Sequence, residues 1–126
     1  MMLAISLCFF GVTACKGEEN MPKTYEQITP KQAKEIMEKE KDYIILDVRT
    51  AEEFQEGHIP GAVNLDHEET KARAGEILPE KDQLILVYCR SGRRSKIAAE
   101  TLLELGYTNV KEFGGILDWP YEIVKE

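Results

Sequence analysis

The sequence predicts an α/β domain with parallel strands, and three observations carry that prediction. Tyr43-Ile44-Ile45-Leu46 and Leu84-Ile85-Leu86-Val87-Tyr88 are short continuous apolar runs, the pattern of strands buried on both faces. Helical stretches stand between and around them, and strands alternating with helices at this spacing build a parallel sheet. Each run is followed at once by a polar motif, Asp47-Val48-Arg49-Thr50 after the first and Cys89-Arg90-Ser91-Gly92-Arg93-Arg94-Ser95 after the second. Open α/β sheets carry their sites at the carboxyl ends of strands. Two such motifs at strand ends therefore mark the site before its chemistry is considered.

The elements follow in order. Thr29-Pro30 reads as an N-cap with proline at the first helical position, opening PKQAKEIMEKEK. Ala33, Ile36 and Met37 give that helix one apolar stripe, and Met37 belongs to the core. After the strand at 43–46, Thr50 caps a short helix, AEEF. The segment GHIPGA at 57–62, with two glycines and a proline, punctuates the chain before a short strand around Ala62 to Leu65. A polar helical stretch runs from about Asp66 to Ile77. Beyond the strand at 84–88, Arg93 to Leu105 forms a helix with Ile97, Ala98, Leu102 and Leu105 facing the core and Gly106 as C-cap. Asn109 to Glu112 is the last strand, FGGILDWP turns into a short closing helix, and Trp119 caps the core. His58 is expected to fix its turn by hydrogen bonding, and His67 to be solvated.

The folded domain is expected to span 24–126. The first fourteen residues, MMLAISLCFFGVTA, carry no charge. They are too short for a bilayer-spanning helix of about 20 residues and have the length of a signal's apolar region. The run ends in Val12-Thr13-Ala14-Cys15, which resembles the bacterial lipobox; the resemblance implies that Cys15 is lipidated and begins the mature chain. Cleavage elsewhere and an uncleaved anchor are the alternatives. No Lys or Arg precedes the apolar run, which leaves an upstream start open. Residues 15–23 read as the lipidated cysteine and a polar tether, whose residues 16–23 reach roughly 26–29 Å when extended. The expected location is extracytoplasmic, at a membrane through the lipid alone. About 100 residues remain, enough for one monomeric domain with a core that needs no staples.

The net charge of −7 argues against nucleic acid and against a basic membrane-binding face. Of the three cysteines, Cys8 leaves with the signal and Cys15 takes lipid, so Cys89 stays a free thiol without a disulfide partner. Two histidines far apart and one free cysteine make no metal site, and no cofactor is expected.

The chemistry gathers at Cys89. Gly92 permits a tight turn in which successive backbone N–H groups curl into an anion-binding nest above a helix N-terminus. A sulfur at its base meets aligned dipoles and guanidinium groups, and such surroundings lower a cysteine pKa from about 8.5 to roughly 3.5–7.5. The thiolate is a nucleophile at neutral pH. Arg90, Arg93 and Arg94 suit a doubly charged oxyanion. The bland alternative makes Cys89 a core thiol and the arginines a solvated helix start, with Arg94 pointing outward or pairing with an acidic neighbour.

At these residues the chain resembles the rhodanese homology family: ILDVRTAEEFQEGHIPGAVNL (45–65) its first signature, CRSGRRS (89–95) its active-site loop, and FGGILDW (113–119) its closing segment. It looks most like the small, exported, single-domain thiosulfate sulfurtransferases. The resemblance implies a central five-stranded parallel sheet flanked by helices and a cysteine alternating between thiol and persulfide. Cys89 is then the sulfur acceptor, Arg90, Ser91, Gly92, Arg93 and Arg94 supply the cradle, and Ser95 closes it. Asp47 and Arg49 brace the loop by charge pairing. The implied donor is a small anion such as thiosulfate, a polysulfide or a persulfide; the acceptor is cyanide, a thiol or a protein. Two rivals stand beside this reading. Related phosphatases and arsenate reductases need Cys-x5-Arg, whereas here the sixth residue after Cys89 is Ser95. A non-catalytic binding module of the family usually lacks the cysteine.

Overall fold

The computed structural model describes residues 24–125, so the expected signal, Cys15 and the tether lie outside the described residues. In chain order the elements are β1 (Glu26–Gln27), α1 (Pro30–Lys39), β2 (Tyr43–Asp47), α2 (Ala51–Glu56), β3 (Val63–Asn64), α3 (Thr70–Ile77), β4 (Leu84–Cys89), α4 (Arg93–Glu104) and β5 (Val110–Gly115). One-turn 3-10 helices cover His67–Glu69 and Ile116–Asp118. The strands form one parallel five-stranded sheet in the order β1-β5-β4-β2-β3. No helix among the described residues is long and apolar enough to cross a membrane.

Local chemistry sets the helix ends. Thr29 and Gln32 close a capping box over α1, with Pro30 at its first turn. Thr50 and Glu53 do the same for α2. Helix α4 ends where Gly106 turns to φ 101°; its N–H reaches Leu103 O, and Tyr107 N–H reaches Leu102 O. These paired bonds satisfy carbonyls that the helix cannot.

The pleat of the central strand divides the core. Ile85, Val87 and Cys89 face α3 and α4, packing with Leu46, Val48, Ala74, Leu78, Ala98, Ala99 and Leu102. Leu86 and Tyr88 face the other way, onto Ala33, Ile45, Ile59, Phe113 and Trp119. At the amino ends of β2 and β4, Glu40, Asp42, Glu80 and Asp82 line one acidic pocket.

One strand went unread and three expectations are corrected. Strand β1 has no apolar alternation to betray it; it is made a strand by pairing Glu26 with Lys111 and Gln27 with Glu112. Strand β5 continues through Gly114 and Gly115, which the sequence reading put into the closing turn. Ile97 does not face the core but is 39 % exposed, and Ala99 takes the inward position beside Ala98. His67 is half-buried rather than solvated, with Nδ1 3.2 Å from Asp66 Oδ1.

Candidate active site

Strand β4 delivers Cys89 as its last residue, and only Arg90, Ser91 and Gly92 separate it from α4. Gly92 makes the turn at φ 110°, a left-handed conformation that glycine adopts without steric cost. Its N–H then points back at the sulfur and donates to Cys89 Sγ at 3.0 Å. The thiol is fully buried and in turn donates to Ser95 Oγ at 3.4 Å. Gly92 is thus the cradle member whose N–H meets Sγ, and Arg90, Ser91 and Arg93 stand exposed around it.

The loop rests on β5. The pairing of β4 with β5 shifts between Val87–Glu112 and Cys89–Gly115, so β5 holds one extra residue there. Arg90 O accepts a hydrogen bond from Leu117 N at 3.2 Å. A Cβ on Gly115 would lie 2.0 Å from Arg90 O and 2.6 Å from Ser91 N, so only glycine fits beneath the loop.

The other candidate residues divide. Arg94 pairs with both carboxylate oxygens of Glu53, at 2.8 and 2.9 Å, the alternative in which it finds an acidic neighbour. The Arg94 guanidinium holds the Glu53 carboxyl down at about 2, against partial desolvation, and Thr50 adds to the lowering. Glu53 in turn raises the Arg94 pKa.

Asp47 and Arg49 do pair, at 2.6 Å and buried, but behind the loop rather than against it. Arg49 Nη2 also donates to Gly57 O at 2.7 Å, and the Tyr88 hydroxyl donates to Asp47 Oδ2 at 2.5 Å. Tyr88 Oη accepts from Ile59 N at 3.1 Å. Burial, then the Asp47 charge, pushes the Tyr88 pKa up. This cluster ties the strand end to the 57–59 corner, on the sheet face opposite the sulfur. His58 fixes that corner: Nδ1 lies 2.8 Å from Phe54 O, and the ring stacks on Phe54 at 3.7 Å. Trp119 covers the second core as expected and donates to Glu122 O at 3.1 Å.

Glu112 escaped the sequence reading. It is 2 % exposed, and its Oε2 accepts from Ser95 Oγ at 2.5 Å and from Gly114 N at 2.9 Å. Its signal was its phase: two residues after Val110 on one strand, it must face the same side as Val110.

The Rhodanese-like domain model matches residues 29–121. Thiosulfate sulfurtransferase PspE of Escherichia coli is 42 % identical over 73 residues, covering 58 % of this chain and 70 % of that one. Adenylyltransferase and sulfurtransferase UBA4 of Candida albicans is 36 % identical over 104 residues, covering 77 % of this chain and 24 % of that protein, so the chain corresponds to about a quarter of it. A solved rhodanese with anions from E. coli superposes with a TM-score of 0.63 at 39 % identity, covering 67 % of this chain and 99 % of that one. With the motifs in order, the sheet order observed and a cysteine at the end of its central strand, the chain belongs to the rhodanese-like family and is a sulfurtransferase of the rhodanese type that works through Cys89.

Proposed function

We propose that the donor is thiosulfate and that Arg90, Ser91, Gly92, Arg93 and Arg94 form its binding cradle, closed by Ser95. The observation that carries this reading is the Gly92 N–H aimed at Cys89 Sγ inside a rim of exposed arginines. The Cys89 thiolate attacks the outer sulfur of thiosulfate, whose S–S bond breaks with its electron pair leaving on sulfite. The persulfide remains beside donors that are already in position, which lowers the cost of forming it. A thiophilic acceptor such as cyanide then attacks the outer sulfur and releases the Cys89 sulfur, which is free to take up a proton from solvent, giving ping-pong kinetics. Treatment with thiosulfate alone should add the mass of one sulfur atom, removable by cyanide and absent in Cys89→Ser. A folded wild type that stays unmodified would exclude thiosulfate as donor.

The same reading puts the domain outside the cytoplasm as a monomer held by lipid on Cys15. The support is the apolar run ending in Val12-Thr13-Ala14-Cys15. Several acyl chains hold a protein stably where one does not. Cys15→Ser should therefore move the protein from the membrane fraction to the soluble one or leave it unprocessed. A wild type that fractionates without lipid would refute the anchor.

A further inference from the structure

Behind the sulfur stands a buried carboxylate that the reaction above does not use. Cys89 Sγ donates to Ser95 Oγ at 3.4 Å, and Ser95 Oγ donates to Glu112 Oε2 at 2.5 Å. Oε2 also accepts from Gly114 N at 2.9 Å. Glu112 is 2 % exposed, and Lys96 Nζ, itself exposed, reaches only to 4.0 Å of Oε1. We propose that Glu112 is a positioning residue that acts through the Ser95 hydroxyl to keep the resting Cys89 sulfur protonated.

The reasoning is electrostatic. A serine hydroxyl has one proton; while that proton is given to Glu112, Ser95 offers the sulfur only a lone pair. A lone pair favours S–H over a bare thiolate. A carboxylate one hydroxyl away also opposes a second negative charge on Sγ. The Gly92 N–H and the Arg94 guanidinium, which interacts with Cys89 through charge, pull in the other direction. The groups facing Glu112 are Ser95 and Lys96 from α4, Cys89 from β4 and Gln27 from β1, with Tyr25 packed into the same core.

Sulfur loading changes this balance. The thiol proton passes to solvent base, the Cys89–sulfur bond forms, and the donor's S–S bond breaks with its electron pair on sulfite. The negative charge then sits on the outer sulfur, about 2 Å further along an S–S bond, where Glu112 opposes it less. The carboxylate thus disfavours the free thiolate more than the loaded persulfide. Between turnovers the site holds a thiol, which is a poorer target for oxidants than a thiolate.

The test is the rate at which a neutral reagent, iodoacetamide, alkylates Cys89 as a function of pH, in the whole protein. In Glu112→Gln the curve should move to lower pH by about one unit, so alkylation on its rising limb should be about tenfold faster. Ser95→Ala should move it the same way, and it carries the test if E112Q does not fold. An unchanged curve in these variants overturns the proposal. Slower alkylation at every pH also overturns it, because Glu112 would then be the base that takes the proton. The proposal rests on Cys89 being the sulfur-carrying thiol. Alkylation reads the proton without any sulfur transfer, so a missing persulfide and a missing shift are separate results.

Discussion

Arg93 and Arg94 are adjacent in sequence, yet one projects into solvent and the other is clasped by Glu53. Arg93→Ala should therefore raise the KM for thiosulfate several-fold with little change in kcat, by removing a mobile charge that attracts a dianion. The effect should fade at high salt, because an exposed charge is screened over about 8–10 Å. An unchanged KM would show that Arg93 faces away from the substrate. Glu53 makes a different prediction. Its pKa is depressed to about 2 from 4.5, so the stability it contributes is fully present above 4.5 and is lost as pH falls through about 2. Glu53→Gln should cost about 1 kcal/mol at neutral pH, given that the pair is partly exposed. Thermal melts should show that gap closing as pH falls through this window; a gap that persists in acid would deny the pair its role. These contacts were only half legible in the sequence. The cations around Cys89 could be read directly, but Glu53 lies 41 positions from Arg94, and no local spacing announces such a partner. Glu112 was hidden for another reason: an acidic residue on a strand normally points to water, and here the strand's phase turns it inward.

Among elements, the meeting of the loop with β5 is the most exacting. Gly115→Ala would force a methyl to within 2.0 Å of the Arg90 carbonyl, a backbone atom that cannot swing aside as a side chain can. The loop must move, taking the Gly92 N–H off the sulfur. Sulfur transfer should fall by about tenfold or more, since misplacement near 1 Å costs on the order of 10²-fold, and the midpoint of thermal unfolding should drop. Wild-type activity in the alanine variant would mean that the loop tolerates a lift. The elements themselves were legible in proportion to their burial. Strands β2 and β4, apolar on both faces, were clear from residues alone. Helices α1, α2 and α4 were announced by Thr29-Pro30, by Thr50 and by the Arg93–Leu105 run ending at Gly106. Strand β1 was not, because two polar residues at a sheet edge gain their conformation entirely from the strand beside them. The reach of β5 through its glycines was obscured by the extra residue in its pairing, which lets a Gly-Gly pair stay in the sheet.

At the scale of the whole molecule, one sheet separates two cores that share no side chains. Leu102 lies in the first and Phe113 in the second, both buried. Leu102→Ala should cost about 2–5 kcal/mol and Phe113→Ala about 3–5 kcal/mol. In chemical denaturation the double variant should lose the sum within about 0.5 kcal/mol, as distant sites do. A marked shortfall or excess would mean that the sheet transmits strain between its faces. The parallel sheet also gives the domain two unlike ends. Because every strand runs the same way, Glu40, Asp42, Glu80 and Asp82 lie at the amino ends with Lys41 and Lys81 between them, while Arg90, Arg93 and Lys96 stand at the carboxyl ends around the sulfur. Strand β1 runs parallel to the others, so the chain leads into it from the end opposite the sulfur. A domain held through the lipid proposed on Cys15 would be tethered from the end opposite the site. Such a domain would ride like a buoy on its line, with the active-site loop turned toward the open solution.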